Sequence, residues 1–141
     1  LESLIPILAE NHVVLTLEPN SPAYGADYLT SYEEVIEVSM LIDSPWIQPQ
    51  IDTGSQSMVK ESPDESVLKH EPAHVHISTP NLLPPPGLID HKAFILALNK
   101  IKYSKWLVLE MLQFQDNAMD VALDSAKWFT TTYSIFRGAQ N

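Results

Sequence analysis

Four short runs decide the fold: residues 13–18 VVLTLE, 47–52 IQPQID, 73–78 AHVHIS and 106–110 WLVLE. Each is mainly aliphatic and is followed by loop-forming residues, the pattern of a buried strand. Each also closes on a side chain able to ligate a cation: Glu18, Asp52, His76 and Glu110. Carboxylates are rarely buried without partners. Three carboxylates and one imidazole suit a single hard divalent cation. The four positions lie 34, 24 and 34 residues apart, about one strand, loop, helix and loop each time. A parallel barrel places its chemistry on strand C-terminal ends in this way.

The intervening segments supply the helices. Residues 1–11, LESLIPILAEN, read as the end of a helix with Leu1, Leu4, Ile5 and Leu8 on one face, and residues 12–18 as the first strand. After the loop EPNSPAYGADYL, Thr30 or Ser31 caps a helix through YEEVIEVSMLI, with Glu33 and Glu34 near its positive end and Asp43-Ser44-Pro45 stopping it. Glu33, Glu34 and Glu37 make a solvated face. Pro49 weakens the second strand. Residues 53–63 read as a polar loop, and Pro63-Asp64-Glu65 starts a short helix reaching about His70. Residues 78–90, STPNLLPPPGLID, form an extended loop expected to wall a pocket rather than to act as a rigid linker. Asp90 caps HKAFILALNKI, whose Phe94, Leu98 and Ile101 share a face, and a last helix is expected over roughly 117–136.

Strands that read as apolar rather than alternating, separated by helices, imply an α/β fold of parallel strands covered by helices. Four such units are half of an eightfold barrel. Alone they leave two sheet edges and an apolar face open. The expectation is one partial barrel domain over 1–141, preceded in the natural protein by a half of similar size; the first residue, Leu1 rather than Met, fits a fragment.

Composition narrows the function. The 141 residues are 45% hydrophobic, which argues against disorder. Eighteen acidic against eight basic residues give a net charge of −10, which disfavours nucleic acid and anionic membrane surfaces as partners. Part of that charge is ligand charge that a bound cation offsets. With no cysteine there is neither disulfide nor thiolate zinc site. No apolar stretch approaches the ~20 residues of a membrane span, and no signal peptide opens the chain, so a cytoplasmic protein is expected.

At these residues the chain resembles the C-terminal half of the xylose isomerase-like TIM barrels, the superfamily of sugar phosphate isomerases/epimerases and ketose 3-epimerases. The family pattern is Glu ending strand five, Asp-Thr ending strand six, His-x-His ending strand seven, and Gly-Tyr-x-Gly-x-x-x-x-Glu into strand eight. Here these stand as LTLEPN, QIDTG, HVHIS and KYSKWLVLE, covering about residues 1–136. The resemblance implies a (β/α)8 barrel and makes Glu18, Asp52, His76 and Glu110 the metal ligands. The metal is then usually Mn2+, sometimes Mg2+ or Co2+, and the two glutamates exchange protons with the substrate. The family often dimerises, so a homodimer is one arrangement it implies.

There are departures. Ser55 replaces the His found three residues after the strand-six Asp in the ketose epimerases, and Leu82 replaces an Arg six residues after the strand-seven His. Lys102 and Lys105 stand where the turn glycines would be. A simple ketose 3-epimerase is therefore disfavoured, and similarity to the HxHIS-x-P-x-L branch is greater. Apurinic endonucleases share the fold but need Asp-x-x-His and more histidines; Ser55 and the acidic charge count against them.

The chemistry expected of these residues is proton transfer beside a sugar carbonyl. A divalent cation stabilises the developing enediolate charge, and carboxylates on either side remove and return the proton. Return at another carbon isomerises; return on the opposite face epimerises. Glu18 and Glu110, on the first and last strands, are the expected pair. An inosose or polyol dehydratase, or a barrel binding carbohydrate or metal without turnover, are the alternatives. His74 and His76 share one side of their strand; His76, nearer the C-terminal end, is taken as the ligand and His74 as an interior hydrogen-bonding group. Asn81, Tyr24 and His74 are candidate substrate contacts, although Tyr24 and Trp46 also suit simple packing. His91 reads as a surface residue, and His12 and His70 as element ends. With four glycines and no phosphate cradle, a non-phosphorylated small-molecule sugar is expected.

Overall fold

The computed structural model describes residues 1–112 and 117–136. Four strands, β1 (Leu15–Leu17), β2 (Ile47–Asp52), β3 (His74–Ile77) and β4 (Leu107–Leu109), form one parallel sheet in the order β1-β2-β3-β4. The helices are α1 (Ile5–Glu10), α2 (Tyr32–Ile42), α3 (Thr53–Met58), α4 (Pro63–Lys69), α5 (His91–Lys100) and α6 (Ala118–Thr132). Asp52 lies beside His76 in the β2–β3 register, which aligns two of the four strand ends.

The strands alternate more than their sequences first suggest. Leu17, Ile47, Ile51, Val75 and Ile77 are buried against the helices. Their neighbours Thr16, Gln50, Asp52, His74 and His76 take the opposite side, by the two-residue period of a strand. Helices thus cover one face only, and the other carries the polar groups. Tyr32 of α2, Val67 of α4, and Phe94, Ile95 and Leu98 of α5 close the main core over Ile51, Val75 and Ile77.

Helix ends follow their caps. Ser31, not Thr30, accepts the Glu34 N–H at 3.2 Å and starts α2, and Asp43 ends it in a left-handed conformation. Asp90 accepts the Ala93 N–H at 3.0 Å and starts α5. Three expectations need correction. Residues 53–58 are not loop: the Asp52 carboxylate accepts the Ser55 N–H at 2.6 Å and caps α3, which outweighs the poor helix propensity of Gly54 and the serines. The first strand begins at Leu15 rather than at position 12, because His12 turns the chain with φ 54°. His91 is not a surface residue. It is 7% exposed, with Nε2 donating to the Pro86 carbonyl at 2.8 Å and Nδ1 accepting from the Tyr133 hydroxyl at 2.9 Å. Burial pushes its pKa down, which suits this neutral tautomer. It ties the proline-rich segment to the end of α6.

Lys102 adopts φ 57° just after α5, where Tyr103 N–H bonds back to the Leu98 carbonyl at 3.0 Å. Glycine is favoured at such a helix stop because a Cβ is strained there. Lys102→Gly is expected to raise stability by about 0.5–1 kcal/mol. A denaturant midpoint that stays level or falls contradicts this.

Candidate metal centre

Alternation brings Glu18, Asp52, His76 and Glu110 to one end of the sheet. One ligand atom from each lies within 4.8 Å of the others, an arrangement that could hold a metal ion. His76 Nδ1 stands between Glu18 Oε1 at 2.9 Å and Glu110 Oε2 at 3.1 Å. Since β1 and β4 are the sheet's two edges, the glutamates approach His76 from opposite sides.

Asp52 is 3% exposed and heavily tethered. Besides capping α3, it accepts from the Ser78 hydroxyl, at 2.8 Å on Oδ1 and 2.7 Å on Oδ2. Ser78 Oγ accepts from Gly54 N–H at 2.9 Å, and Thr53 Oγ1 donates to the Ser78 carbonyl at 2.8 Å. Gln50, two residues before Asp52 and therefore on its side of the strand, places Nε2 3.2 Å from His76 Nδ1, while its Oε1 accepts from Thr16 at 2.6 Å. Gln50, Ser78 and Thr53 were not singled out from sequence. The signals that could have found them are the two-residue spacing from Asp52 for Gln50 and the serine closing AHVHIS for Ser78.

The electrostatics fit a cation. Burial raises the Asp52 and Glu110 pKa values above the ordinary carboxylate range, against the lowering effects of hydrogen bonds and His76. The hydrogen bond to Glu18 raises the His76 pKa against its own desolvation. Three carboxylates crowd one imidazole, whose single Nδ1 cannot serve both glutamates with one hydrogen. A divalent ion satisfies every one of these groups, and this oxygen-rich donor set suits Mn2+, Mg2+ or a similar ion.

A pH dependence follows. All three raised groups bind protons more readily in the metal-free fold than in the unfolded chain. Their stabilising contribution is complete below the unfolded pKa values and is lost as pH rises through the raised ones. The metal-free full-length protein is expected to melt at a higher temperature near pH 5 than near pH 8. Metal binding needs the deprotonated groups, so saturating metal reverses the trend. Melting curves with chelator and with Mn2+ check this; a metal-free Tm that rises with pH contradicts it.

The other candidates separate. Tyr24 lines a cleft of about 250 Å3 together with Glu18, Asp52 and Glu110. Asn81 does not line it; its N–H donates to the Tyr24 hydroxyl at 2.6 Å. His74 sits one layer lower, its ring 5.1 Å from that of His76, and faces a different cleft beside Thr16 and Trp106. Burial lowers its pKa, helped by His76. Trp46 packs on His12 near the start of β2, far along the strand from Asp52.

Residues 1–132 match the xylose isomerase-like TIM barrel family, and the chain belongs to that family. Solved structures agree on the fold. The chain is similar to 3-keto-D-glucoside 4-epimerase from E. coli, with 20% identity, TM-score 0.81, and coverage of 92% of this chain and 50% of that one. It is similar to D-allulose 3-epimerase from Methylomonas sp. bound to D-allulose, with 17% identity, TM-score 0.82, and coverage of 94% and 52%. It is similar to the IOLI protein with a bound zinc atom, with 18% identity, TM-score 0.78, and coverage of 96% and 54%. The chain thus spans about half the length of these structures, as a half barrel does. Comparison with curated proteins found no match. No described helix is long and apolar enough to cross a membrane.

Proposed function

We propose that this chain is the C-terminal half of a metal-dependent sugar isomerase or epimerase. Glu18, Asp52, His76 and Glu110 hold one divalent cation, with Mn2+ first in order of expectation. The observation that carries the reading is the meeting of four ligand atoms from four strand ends within 4.8 Å. The sugar epimerases among the similar structures, and the zinc in another, support it by analogy of fold.

When bound, the cation supplies Lewis acidity toward a substrate carbonyl and its neighbouring hydroxyl. Glu18 and Glu110, approaching from opposite edges, are placed to take a proton from one side of the sugar and return one from the other. Asp52 is fixed by Ser78 and by the cap of α3, so it serves as a ligand rather than as a mobile base. Gln50 Nε2 lies 3.2 Å from the His76 Nδ1 ligand atom.

The unpaired edges of β1 and β4, with Val14, Trp106 and Val108 exposed around them, are covered in this reading by a preceding half barrel that also completes the pocket. The test is transfer of substrate carbon-bound deuterium to water by the full-length protein with Mn2+, over a panel of aldoses and ketoses. Metal-dependent exchange without loss of water supports isomerisation or epimerisation. Exchange with release of a hydroxyl turns the reading to a dehydratase. Sugar binding without exchange leaves a binding barrel.

A further inference from the structure

The cleft beside the metal centre is lined by both charged and hydrocarbon groups. Glu18, Asp52 and Glu110 supply the charge; Pro19, Leu82 and Tyr24 supply hydrocarbon. Leu82 is held there in an unusual conformation. Asn81 and Leu82 are consecutive non-glycine residues with φ of 60° and 51°. Left-handed backbone is disfavoured for a leucine, and such residues persist only where their surroundings dictate it. Here the surroundings are three loops. Leu82 N–H donates to the Thr79 carbonyl at 2.8 Å, and Leu112 N–H donates to the Leu82 carbonyl at 2.9 Å. Asn81 N–H donates to the Tyr24 hydroxyl at 2.6 Å. The loops after β1, β3 and β4 are thereby tied together, with Leu82 lining the cleft.

The Leu82 part of this lining offers little to a hydroxyl. Its N–H and carbonyl are already paired. A sugar oxygen turned toward its hydrocarbon gives up its hydrogen bonds to water for none in return. Nor does the cleft welcome an anion. Among the described residues no lysine or arginine lines it. Three carboxylates around one divalent ion still leave a negative balance when His76 is neutral. A phosphate or carboxylate on the substrate meets that residual charge with no counter-ion from the described residues that line the cleft.

Resting on the isomerase or epimerase reading, we infer that the substrate is an uncharged deoxy sugar whose deoxygenated carbon packs against Leu82 and Pro19, which makes Leu82 a specificity-determining residue. Its hydroxyls face the metal centre and the polar side of the cleft, where Asn20 and Ser55 lie.

The test uses the Mn2+-loaded full-length protein and matched ketoses: L-rhamnulose against L-fructose, L-fuculose against L-tagatose, and D-fructose against D-fructose 6-phosphate. Calorimetric affinity and deuterium exchange are both read. In at least one pair the deoxy sugar is expected to bind about tenfold or more tightly than its hydroxylated parent, the scale of one well-packed methyl group. The phosphorylated sugar binds worse than its neutral parent. Leu82→Asn keeps a residue that tolerates the left-handed conformation while replacing hydrocarbon with carboxamide, and it brings the deoxy preference near one. Parents or the phosphate binding as tightly as their counterparts, or an unchanged ratio in Leu82→Asn, overturn the inference. A deoxy preference in binding without exchange upholds it and removes the catalytic reading. Exchange without the preference does the reverse, and no binding in any pair overturns both.

Discussion

Glu110→Gln in the full-length protein is expected to lower turnover by at least about a hundredfold, the usual scale for losing a positioned acid or base. The amide keeps the size and one oxygen of the carboxylate but can neither accept nor return the proton. Asp52, His76 and Glu18 remain as ligands, so metal content should fall less than rate. Measuring both separates the roles. The pH profile carries a second signature: the limb that Glu110 contributes should vanish with the substitution. Rates close to wild type in Glu110→Gln, with metal retained, would remove Glu110 from the chemistry.

Gly54→Ala is the second large effect, and it acts through packing. A Cβ at Gly54 would stand 2.6 Å from Ser78 Oγ and 2.7 Å from both the carbonyl carbon and oxygen of Thr79. The last two are backbone atoms, so the chain must shift rather than a side chain turn aside. Overpacking of this kind costs about 1–3 kcal/mol. The shift also moves Ser78, whose hydroxyl binds both Asp52 oxygens. Loss of such support beneath a metal ligand typically costs 10–100-fold in affinity. Ser78→Ala is the companion variant: it removes the hydroxyl without the clash, so metal affinity should fall while stability falls less. Both substitutions leaving Mn2+ affinity unchanged would dissociate this network from the metal centre.

Much of the candidate site was legible in the residues, because it is built on strand ends. The meeting of Glu18, Asp52, His76 and Glu110 follows from strand spacing and side-chain alternation, both of which sequence records. The cap Asp90, and the start of α2 to within Thr30 or Ser31, were legible for a similar reason, since N-capping is a local act of one side chain on the next turn. What was missed depends on contacts distant in sequence. The α3 segment carries weak helix formers, and its stability comes from an Asp52 side chain already assigned to another task. His91 looks like any exposed residue at a helix start until Tyr133, 42 positions later, closes over it. Gln50 is polar in a strand, and its use appears only when Thr16 and His76 flank it. Lys102 shows the converse: a left-handed turn survived the absence of glycine because α5 and the buried Tyr103 ring hold it.

The most direct measurement is metal content by mass spectrometry of the full-length protein, with Glu18, Asp52, His76 and Glu110 each replaced in turn by alanine. The account predicts about one divalent ion per chain in the wild type and a marked loss in each variant. A wild-type protein that binds no divalent ion when supplied with one, or variants that keep it undiminished, would contradict the account.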